Sequence, residues 1–243
     1  MRRYYSIFCA IVLLATIAGA AQKQVADSSQ TISKIPTTQK VVALTIDDGP
    51  HNKVTPEILA ILREKHVKAT FFVLGVNAEH FPAILAQEVA DGHEIGMHTY
   101  SHPSLPNLSP QKIAEEFDKA EQAIVKAAPK PALFRPPGGM YNAQVIETAH
   151  KKGYSVILWS IDPMDWSCPP ADRIIEKVVS EIKTGSIILL HDGQYPLPTP
   201  KALGTLIDQL RDRGYEFATV SELLQYKELS PYVKSTFLPF WPD

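Results

Sequence analysis

Two adjacent carboxylates, Asp47 and Asp48, follow the apolar segment VVALTI at residues 41–46. They precede Gly49-Pro50, and both Asp-Gly and Gly-Pro are ordinary turn sequences. Taken alone, the stretch fits a turn better than an active site. Successive residues of a strand project to opposite sides, however, so the two carboxylates would face different surroundings. Two carboxylates placed in this way could perform two different chemical roles.

Reactive side chains also follow four later apolar segments of the sequence. They lie in HTYSH (98–102), RPPG (135–138), DPMDW (162–166) and the pair His191-Asp192. Each is consistent with an ordinary loop or turn when it is considered alone. In parallel α/β folds, however, the active site is built from loops at the carboxyl ends of the strands. Acids and imidazoles at the ends of several strands would therefore converge on one site.

The residue types define the chemistry that such a site could support. Two neutral imidazoles and one carboxylate make a suitable three-ligand site for zinc and leave a position for water. Water bound to such a metal is much easier to deprotonate than free water. A second carboxylate is then available as a general base and another histidine as a general acid, which is what hydrolysis of an amide or ester requires. Residue types alone do not name the substrate.

The elements that would position these residues alternate regularly between strand and helix. Apolar runs typical of buried strands are followed by segments with helical periodicity, about seven times. The predicted strands are 41–46, 69–75, 93–99, 132–135, 155–161, 186–192 and 215–220. The predicted helices are 55–66, 77–92, 110–128, 143–153, 171–185, 199–214 and 221–226. This alternation predicts one α/β domain with parallel strands, either an open doubly wound sheet or a closed barrel.

The N-terminus has the features of a secretory signal. Arg2 and Arg3 precede an apolar run, which closes in Ala18-Gly19-Ala20, a typical cleavage sequence. We therefore expect a signal peptide at 1–20 and a protein that is secreted or periplasmic. An uncleaved anchor is the alternative, but the apolar run is short of the roughly 20 residues that span a bilayer. Residues 21–39 are polar and are predicted to form a flexible linker.

The composition excludes some classes of function. Removal of Arg2 and Arg3 from 24 basic residues leaves 22, against 26 acidic residues, and no basic stripe is present. Nucleic acid is therefore not an expected partner. Cys168 is the single cysteine after the predicted cleavage site, so no internal disulfide is expected. We expect no stable membrane insertion after cleavage and a monomeric protein.

In this order, the five polar segments resemble the motifs of the polysaccharide deacetylase family with the NodB homology domain, carbohydrate esterase family 4. The segments that carry the resemblance are TIDDGP, HTYSH, RPPGG, DPMDW and IILLHD, and it extends over nearly all of residues 40 to 225. It implies a single α/β domain at 40–226, folded as a distorted, incompletely closed (β/α) barrel of about seven parallel strands. Residues 227–243 would form a C-terminal tail.

The resemblance also implies roles for residues of the first three motifs. Asp47 would be the general base, and Arg135 would orient it and balance its charge. Asp48, His98 and His102 would bind a divalent metal, with zinc expected and cobalt or another divalent ion as the alternative.

Further roles are implied for the remaining motifs. Asp165 would hydrogen-bond to His191, the general acid that protonates the leaving amine. The implied substrate-binding residues are Trp166, Leu189, Pro137, Gly138 and Tyr141. Among these, Trp166 and Leu189 would enclose the acetyl methyl group, and the backbone N–H of Gly138 would bind the oxyanion.

Two residues depart from the family pattern. Ile46 replaces the usual Phe of the first motif, which should alter only the packing beneath the aspartates. Gly138 stands where the third motif often carries Tyr. Glycine retains the backbone N–H but lacks an aromatic wall, so we expect a wider substrate groove.

The implied activity is metal-dependent removal of N-acetyl groups from N-acetylglucosamine residues of an extracytoplasmic polysaccharide, with release of acetate. Peptidoglycan and a chitin-like glycan are the expected substrates. An O-acetyl esterase that acts on acetylxylan is one alternative, because the same residues can cleave esters. A catalytically inactive module that binds cell-wall glycan is the other, although all the implied catalytic residues are present.

Overall fold

A computed structural model defines the fold, and the structure describes residues 30–227. The predicted signal peptide, residues 21–29 of the predicted linker and residues 228–243 of the predicted tail lie outside the described residues. Within residues 30–227, no helix has both the length and the apolar character needed to cross a membrane.

The described residues form one curled sheet of parallel strands. The strands are β1 Thr31–Ile32, β2 Val41–Asp47, β3 Thr70–Val73, β4 Glu94–Met97, β5 Leu133–Phe134, β6 Ser155–Ile157, β7 Ile187–His191 and β8 Glu216–Phe217. Seven strands follow one path in the order β1-β6-β5-β4-β3-β2-β7, and β8 pairs with the start of β2. Two isolated bridges connect the ends of this path. Lys34, after β1, pairs with Ser186, just before β7, and Ile161, after β6, pairs with Ile188 of β7. The prediction of an incompletely closed barrel of about seven parallel strands is therefore confirmed.

Helices connect the successive strands from β2 to β8, and one more helix follows β8. They are α1 Val54–Glu64, α2 Gly75–His80, α3 Pro82–Ala90, α4 Pro110–Ile124, α5 Ala143–Lys151, α6 Ala171–Glu181, α7 Thr199–Asp212 and α8 Val220–Leu224. The predicted cap of α4 is confirmed, because the side chain of Ser109 accepts a hydrogen bond from the backbone N–H of Lys112. The single helix predicted at 77–92 is wrong. Proline lacks an N–H group and disfavours helical backbone at the preceding residue, so the chain breaks at Phe81 and restarts at Pro82.

The last predicted strand is shorter than expected. Residues 215–220 contain only the two-residue strand β8, because Thr219 already caps helix α8. Its side chain accepts from the N–H of Glu222, while the Glu222 carboxylate accepts from the N–H of Thr219. This reciprocal capping box fixes the start of α8 at Val220.

The N-terminal boundary also differs from the sequence prediction. Thr31 and Ile32 pair with Val156 and Ile157 of β6, so part of the predicted linker belongs to the sheet. Ile35 is 1% exposed and packs in the core. The expected linker at 21–39 is therefore wrong for these residues, because Thr31 and Ile32 pair with the edge of β6 and Ile35 packs among buried apolar residues. Neither partner is visible in a local pattern of polar residues.

Strand β2 pairs with β3, β7 and β8 and is buried at every position. Its residues 42, 44 and 46 belong to the core cluster that includes apolar residues of the surrounding helices. Residues 41 and 43 belong to a second cluster on the opposite face of the sheet. Thr45 and Asp47 share that second face, because side chains alternate along a strand. The end of this face is where the functional side chains converge.

Candidate active site

A cavity of about 320 Å³ opens at the carboxyl ends of β2, β4, β5, β6 and β7. It is lined by Asp47, Asp48, His98, His102, Gly138, Trp159, Asp162, Trp166, Leu189 and His191. Register brings several of these together, since Asp47 of β2 lies directly opposite His191 of β7. The cavity thus contains residues from all five sequence segments that contain reactive side chains.

Asp47 forms a buried ion pair with Arg135. Its Oδ1 atom accepts a hydrogen bond of 2.7 Å from Nη1 of Arg135, and the two residues are 2% and 0% exposed. Burial raises the pKa of Asp47, while the charge and hydrogen bond of Arg135 act in the opposite direction. The result is a carboxylate with one oxygen fixed by a guanidinium and its other oxygen, Oδ2, 3.8 Å from Nε2 of His98.

Arg135 is held in place on all sides. Nη1 also donates to the hydroxyl of Thr45 at 2.8 Å, and Nη2 donates to the carbonyl of Leu158 at 2.9 Å. The guanidinium carbon lies 4.1 Å from the centre of the Phe72 ring, within the range of a cation–π contact. These contacts fix the guanidinium of Arg135 in the position from which it pairs with Asp47.

Asp48, His98 and His102 form a candidate metal site. Oδ1 of Asp48 lies 3.5 Å from Nε2 of each histidine, and one possible ligand atom from each residue lies within 4.8 Å of the others. The same Oδ1 atom is buried and has no hydrogen-bond partner among the described residues. A buried carboxylate oxygen without a partner is unfavourable unless a cation is present, and one carboxylate with two imidazoles is a donor set that zinc prefers. These residues therefore fit a divalent metal ion.

The tautomer of His98 follows from its hydrogen bond. Nδ1 lies 2.7 Å from the carbonyl oxygen of Arg135, and a carbonyl can only accept, so Nδ1 carries the hydrogen. Nε2 then keeps its lone pair for a metal ion. Burial lowers the pKa of His98 to about 3, which favours the neutral ring that metal ligation requires. Arg135 thus positions Asp47 with its side chain and His98 with its backbone.

Left-handed backbone conformations bring the metal-site residues together. Asp48, Thr99 and His102 have φ values of 77°, 71° and 59°. Both aspartates approach Nε2 of His98, but Arg135 pairs with Asp47 and His102 lies near Asp48, so their surroundings differ in part. Alternation along a strand is not the reason. Asp48 lies beyond the end of β2, and its positive φ turns its carboxylate toward the same cavity as Asp47.

His191 forms a second pair with Asp165. Nδ1 of His191 lies 2.8 Å from Oδ1 of Asp165, and the backbone N–H of His191 donates to Oδ2. The hydroxyl of Thr199 donates to the same Oδ2 at 2.6 Å. Burial acts to lower the pKa of His191, but Asp165 outweighs it through its hydrogen bond and charge, with the charges of Asp47 and Asp48 adding to the effect, and the pKa is raised to about 9. His191 is therefore protonated at neutral pH.

The predicted substrate-binding residues divide into two groups. Trp166, Leu189 and Gly138 line the cavity. Pro137 and Tyr141 are not among the lining residues: Pro137 is buried within the loop, and Tyr141 packs against the hydrophobic core. The space beside Gly138 is open, since a Cβ atom there would meet only Met140, at 3.6 Å.

Sequence reasoning missed Trp159 and did not give a role to Asp162. Both follow strand β6 and line the cavity. Asp162 accepts a hydrogen bond of 2.7 Å from the N–H of Met164, which fixes the start of the loop. Trp159 packs on Gly139, where a Cβ atom would approach the indole to 2.8 Å at a φ of 67°. A search of the whole segment after β6 for side chains near the carboxyl end of that strand could have found both residues.

A curled α/β barrel with two charge-paired carboxylates, a protonated histidine and a candidate metal site at its mouth fits the class of hydrolytic enzymes. The sequence model for polysaccharide deacetylases matches residues 34–157. The peptidoglycan-N-acetylglucosamine deacetylase of Bacillus cereus is 41% identical over 197 residues, which are 80% of this chain and 92% of that protein. A chitooligosaccharide deacetylase of a Bradyrhizobium species is 38% identical over 196 residues, which are 75% of this chain and 90% of that protein.

The fold is likewise similar to solved structures. One is the crystal structure of the Bc1960 peptidoglycan N-acetylglucosamine deacetylase in complex with 4-naphthalen-1-yl-N-oxidanyl-benzamide. It matches with a TM-score of 0.78 and 36% sequence identity, over 81% of this chain and 93% of that chain. The protein therefore belongs to the polysaccharide deacetylase family, which contains the NodB homology domain and is carbohydrate esterase family 4.

Proposed function

We propose that the protein is a metal-dependent hydrolase that removes N-acetyl groups from N-acetylglucosamine residues of an extracytoplasmic polysaccharide and releases acetate. The observation that carries this proposal is the presence, in one cavity, of an arginine-paired aspartate, a candidate three-ligand metal site and a protonated histidine. The activities named for the two curated relatives support polysaccharide deacetylation. Peptidoglycan and a chitin-like glycan are the proposed substrates.

Asp48, His98 and His102 would hold the metal ion, for which we propose zinc. A divalent ion bound there supplies Lewis-acid chemistry, because it lowers the pKa of water and withdraws electron density from a carbonyl group. The unpartnered Oδ1 of Asp48 and the lone pair of His98 Nε2 are the atoms that support this assignment.

Asp47 is the proposed general base. Its raised pKa makes it a better proton acceptor than an exposed aspartate, and Arg135 keeps one carboxylate oxygen in place while the other accepts the proton of the attacking water. The Arg135 guanidinium also stabilises the aspartate in its charged form before the reaction. Arg135 is therefore a positioning residue in this mechanism.

His191 is the proposed general acid. Because its pKa is raised to about 9, the ring carries a proton at neutral pH that it can donate to the leaving amine. Asp165 fixes the ring through Nδ1, so Nε2 is the atom that delivers the proton. Protonation is essential here, because an amine anion is a very poor leaving group.

The acetyl group would be bound by the walls of the cavity. Trp166 and Leu189 supply apolar surface for its methyl group, and the backbone N–H of Gly138 is the proposed donor to the developing oxyanion. Pro137 and Tyr141 would assist by shaping the loop that presents Gly138. The small size and partly apolar walls of the cavity would select the acetyl group over larger or charged acyl groups.

The test is mass spectrometry of three substrates after incubation with the zinc-loaded protein. N-acetylglucosamine oligomers, peptidoglycan fragments and acetylxylan are compared, and loss of one acetyl mass with stoichiometric acetate is expected from the first two. Release from acetylxylan alone would establish the O-acetyl esterase alternative. Binding of glycan without release of acetate from any substrate would establish the inactive binding module.

The assignment of Asp47 as the general base is tested with the variant Asp47→Asn. The amide keeps the size of the side chain and an oxygen that can accept from Arg135, but it cannot accept the proton of water. We expect acetate release to fall about 1,000-fold with zinc content unchanged. Full activity in this variant would contradict the assignment of Asp47 as the base.

A further inference from the structure

Most of the exposed large apolar side chains lie on loops at the carboxyl ends of the strands, the edge of the sheet where the cavity opens. Among residues 30–227 they are Val125, Met140, Met164, Trp166 and Tyr195. All except Val125 lie on loops that follow β5, β6 or β7, the loops at the carboxyl ends of the strands. Exposed apolar surface that is grouped at one place is a feature of binding sites.

Tyr195 is the most exposed of these residues, at 56%, and belongs to the loop after β7. Its ring is parallel to that of His51 within 2°, with the centroids 6.5 Å apart. The ammonium group of Lys53 lies 4.5 Å from the centre of the Tyr195 ring. The loop after β2 therefore contacts the Tyr195 ring through His51 and Lys53, while much of the tyrosine faces solvent.

The same loop is also joined to the wall of the cavity. Nε2 of Gln194 donates to the carbonyl oxygen of Trp166 at 3.0 Å. Trp166 lines the cavity and is itself 47% exposed. Tyr195, Gln194 and Trp166 therefore form one continuous rim, which runs from the cavity outward to Lys53.

The size of the cavity shows what this rim must accommodate. A volume of about 320 Å³ is at the lower end of the range for small-molecule pockets, so it holds one sugar residue of a polymer and little more. The neighbouring sugars must then lie over the surface around the mouth. A pyranose ring presents an apolar C–H face that packs well on an exposed aromatic ring, whose face carries negative charge density.

The positive charge at the rim favours a neighbouring sugar that carries an anionic substituent. No ion pair of Lys53 occurs within the described part of the chain, and this exposed residue places its ammonium over the Tyr195 ring. Burial, and then the charge of Lys53, lower the pKa of His51, so this ring is neutral beside the lysine at neutral pH. A carboxylate on the bound sugar would thus meet one positive charge next to the tyrosine.

We infer that Tyr195 and Lys53 form a subsite for the sugar that flanks the reacting residue, and that this subsite favours a sugar with an anionic substituent. The inference rests on the proposed function and names the substrate class more closely. Tyr195 stacks on the sugar ring, and Lys53 contacts a carboxylate of the substituent. A glycan with peptide carboxylates is therefore bound more tightly than a neutral oligomer of the same length.

The test is isothermal titration calorimetry with two ligands, the neutral N-acetylglucosamine tetramer and a peptidoglycan tetrasaccharide that carries peptide carboxylates. All proteins are zinc-loaded and contain Asp47→Asn, so that ligand is not consumed. Tyr195→Ala is expected to raise Kd about fivefold for both ligands, whereas Tyr195→Phe should retain the Kd values of the parent Asp47→Asn protein. Lys53→Gln is expected to raise Kd about threefold for the charged ligand alone, and the difference should vanish at 1 M salt.

Lys130→Gln is the matched control, because Lys130 lies over the Tyr154 ring at 5.8 Å and far along the chain from the rim. It should leave both affinities unchanged. Unchanged Kd values in Tyr195→Ala, or equal effects of Lys53→Gln on the two ligands, would overturn the inference. Acetate release by the protein with Asp47 intact is measured on the same ligands. Failure of that reaction would overturn the proposed function, while the calorimetric differences would still decide the subsite.

Discussion

His98 and His191 occupy equivalent places in the fold and have opposite titration behaviour. Each stands at the carboxyl end of a parallel strand, lines the same cavity and forms a hydrogen bond through Nδ1. Burial acts to lower the pKa of both rings. For His98 this effect prevails and the pKa is about 3, whereas for His191 the interactions with Asp165 prevail and the pKa is about 9.

The partner of Nδ1 accounts for much of this difference. His98 donates to the neutral carbonyl of Arg135, while His191 donates to the carboxylate of Asp165. A carbonyl fixes the ring and its tautomer but adds little stabilisation of the charged form, and a carboxylate does both. One fold thus produces a neutral ring suited to a metal ion and a charged ring suited to proton donation, within one cavity.

The largest expected effect on activity comes from removal of the neutral imidazole ring of His98. His98→Ala deletes a proposed metal ligand, so we expect loss of stoichiometric zinc and of detectable acetate release. Zinc is measured by mass spectrometry of the dialysed protein. His150→Ala, a change at an exposed position on α5, is the control and should retain both properties. Full zinc content in His98→Ala would show that this histidine is not a ligand.

Removal of the protonated ring of His191 should lower the rate of catalysis without affecting metal binding. We expect His191→Gln to lower kcat between about 100-fold and 10,000-fold, because the proton donor is lost. Zinc content should equal that of the wild type, since His191 is not in the candidate metal site. Steady-state kinetics and metal analysis on the same preparation check both statements. Loss of zinc in this variant would mean that His191 also contributes to metal binding.

Much of this arrangement could be predicted from the sequence. The alternation of strands and helices indicated a parallel sheet, and the resemblance settled the choice of a barrel. The reactive residues were found because the carboxyl ends of parallel strands share one edge, a rule that needs no distances. Ser109 before Pro110 was also sufficient to place the start of α4.

The remaining features depend on contacts that are distant in sequence. Thr31 and Ile32 form a strand only because the edge of β6 is available to them. The turn of Asp48 into the cavity depends on a left-handed backbone, which no periodicity reports. The break before Pro82 had a local signal, the proline itself, but the helical pattern on both sides concealed it.

A third prediction concerns the pH dependence that Asp165 imposes on His191. In the wild type, protonated His191 is lost as pH rises through about 9, so kcat should fall on the alkaline side near that value. Asp165→Asn removes the carboxylate, so the pKa of His191 should decrease and the alkaline limb should move to lower pH. A pH–rate profile checks this shift, and an unchanged limb would show that His191 is not the group that limits the rate there.

The same pair should contribute to stability in a defined pH range. The pKa of His191 in the folded protein, about 9, exceeds the ordinary value of 6.5. The stabilisation is therefore complete below about pH 6.5 and is lost as pH rises through about 9. Urea unfolding at several pH values should show this loss for the wild type and not for Asp165→Asn. A wild-type dependence of the opposite sign would contradict the raised pKa.

The smallest expected effect is at Thr199, which supports Asp165 from the start of α7. Thr199→Val keeps the shape of the buried side chain but removes the hydroxyl that donates to Oδ2 of Asp165. We expect a loss of about 1 kcal/mol in the free energy of unfolding, because one buried acceptor loses a donor while the N–H of His191 still donates to the same oxygen. Thr205→Val, at an exposed position of the same helix, is the control in the same urea titration. If both variants unfold alike, Asp165 is held by His191 alone, and the charged half of the site needs no support from α7.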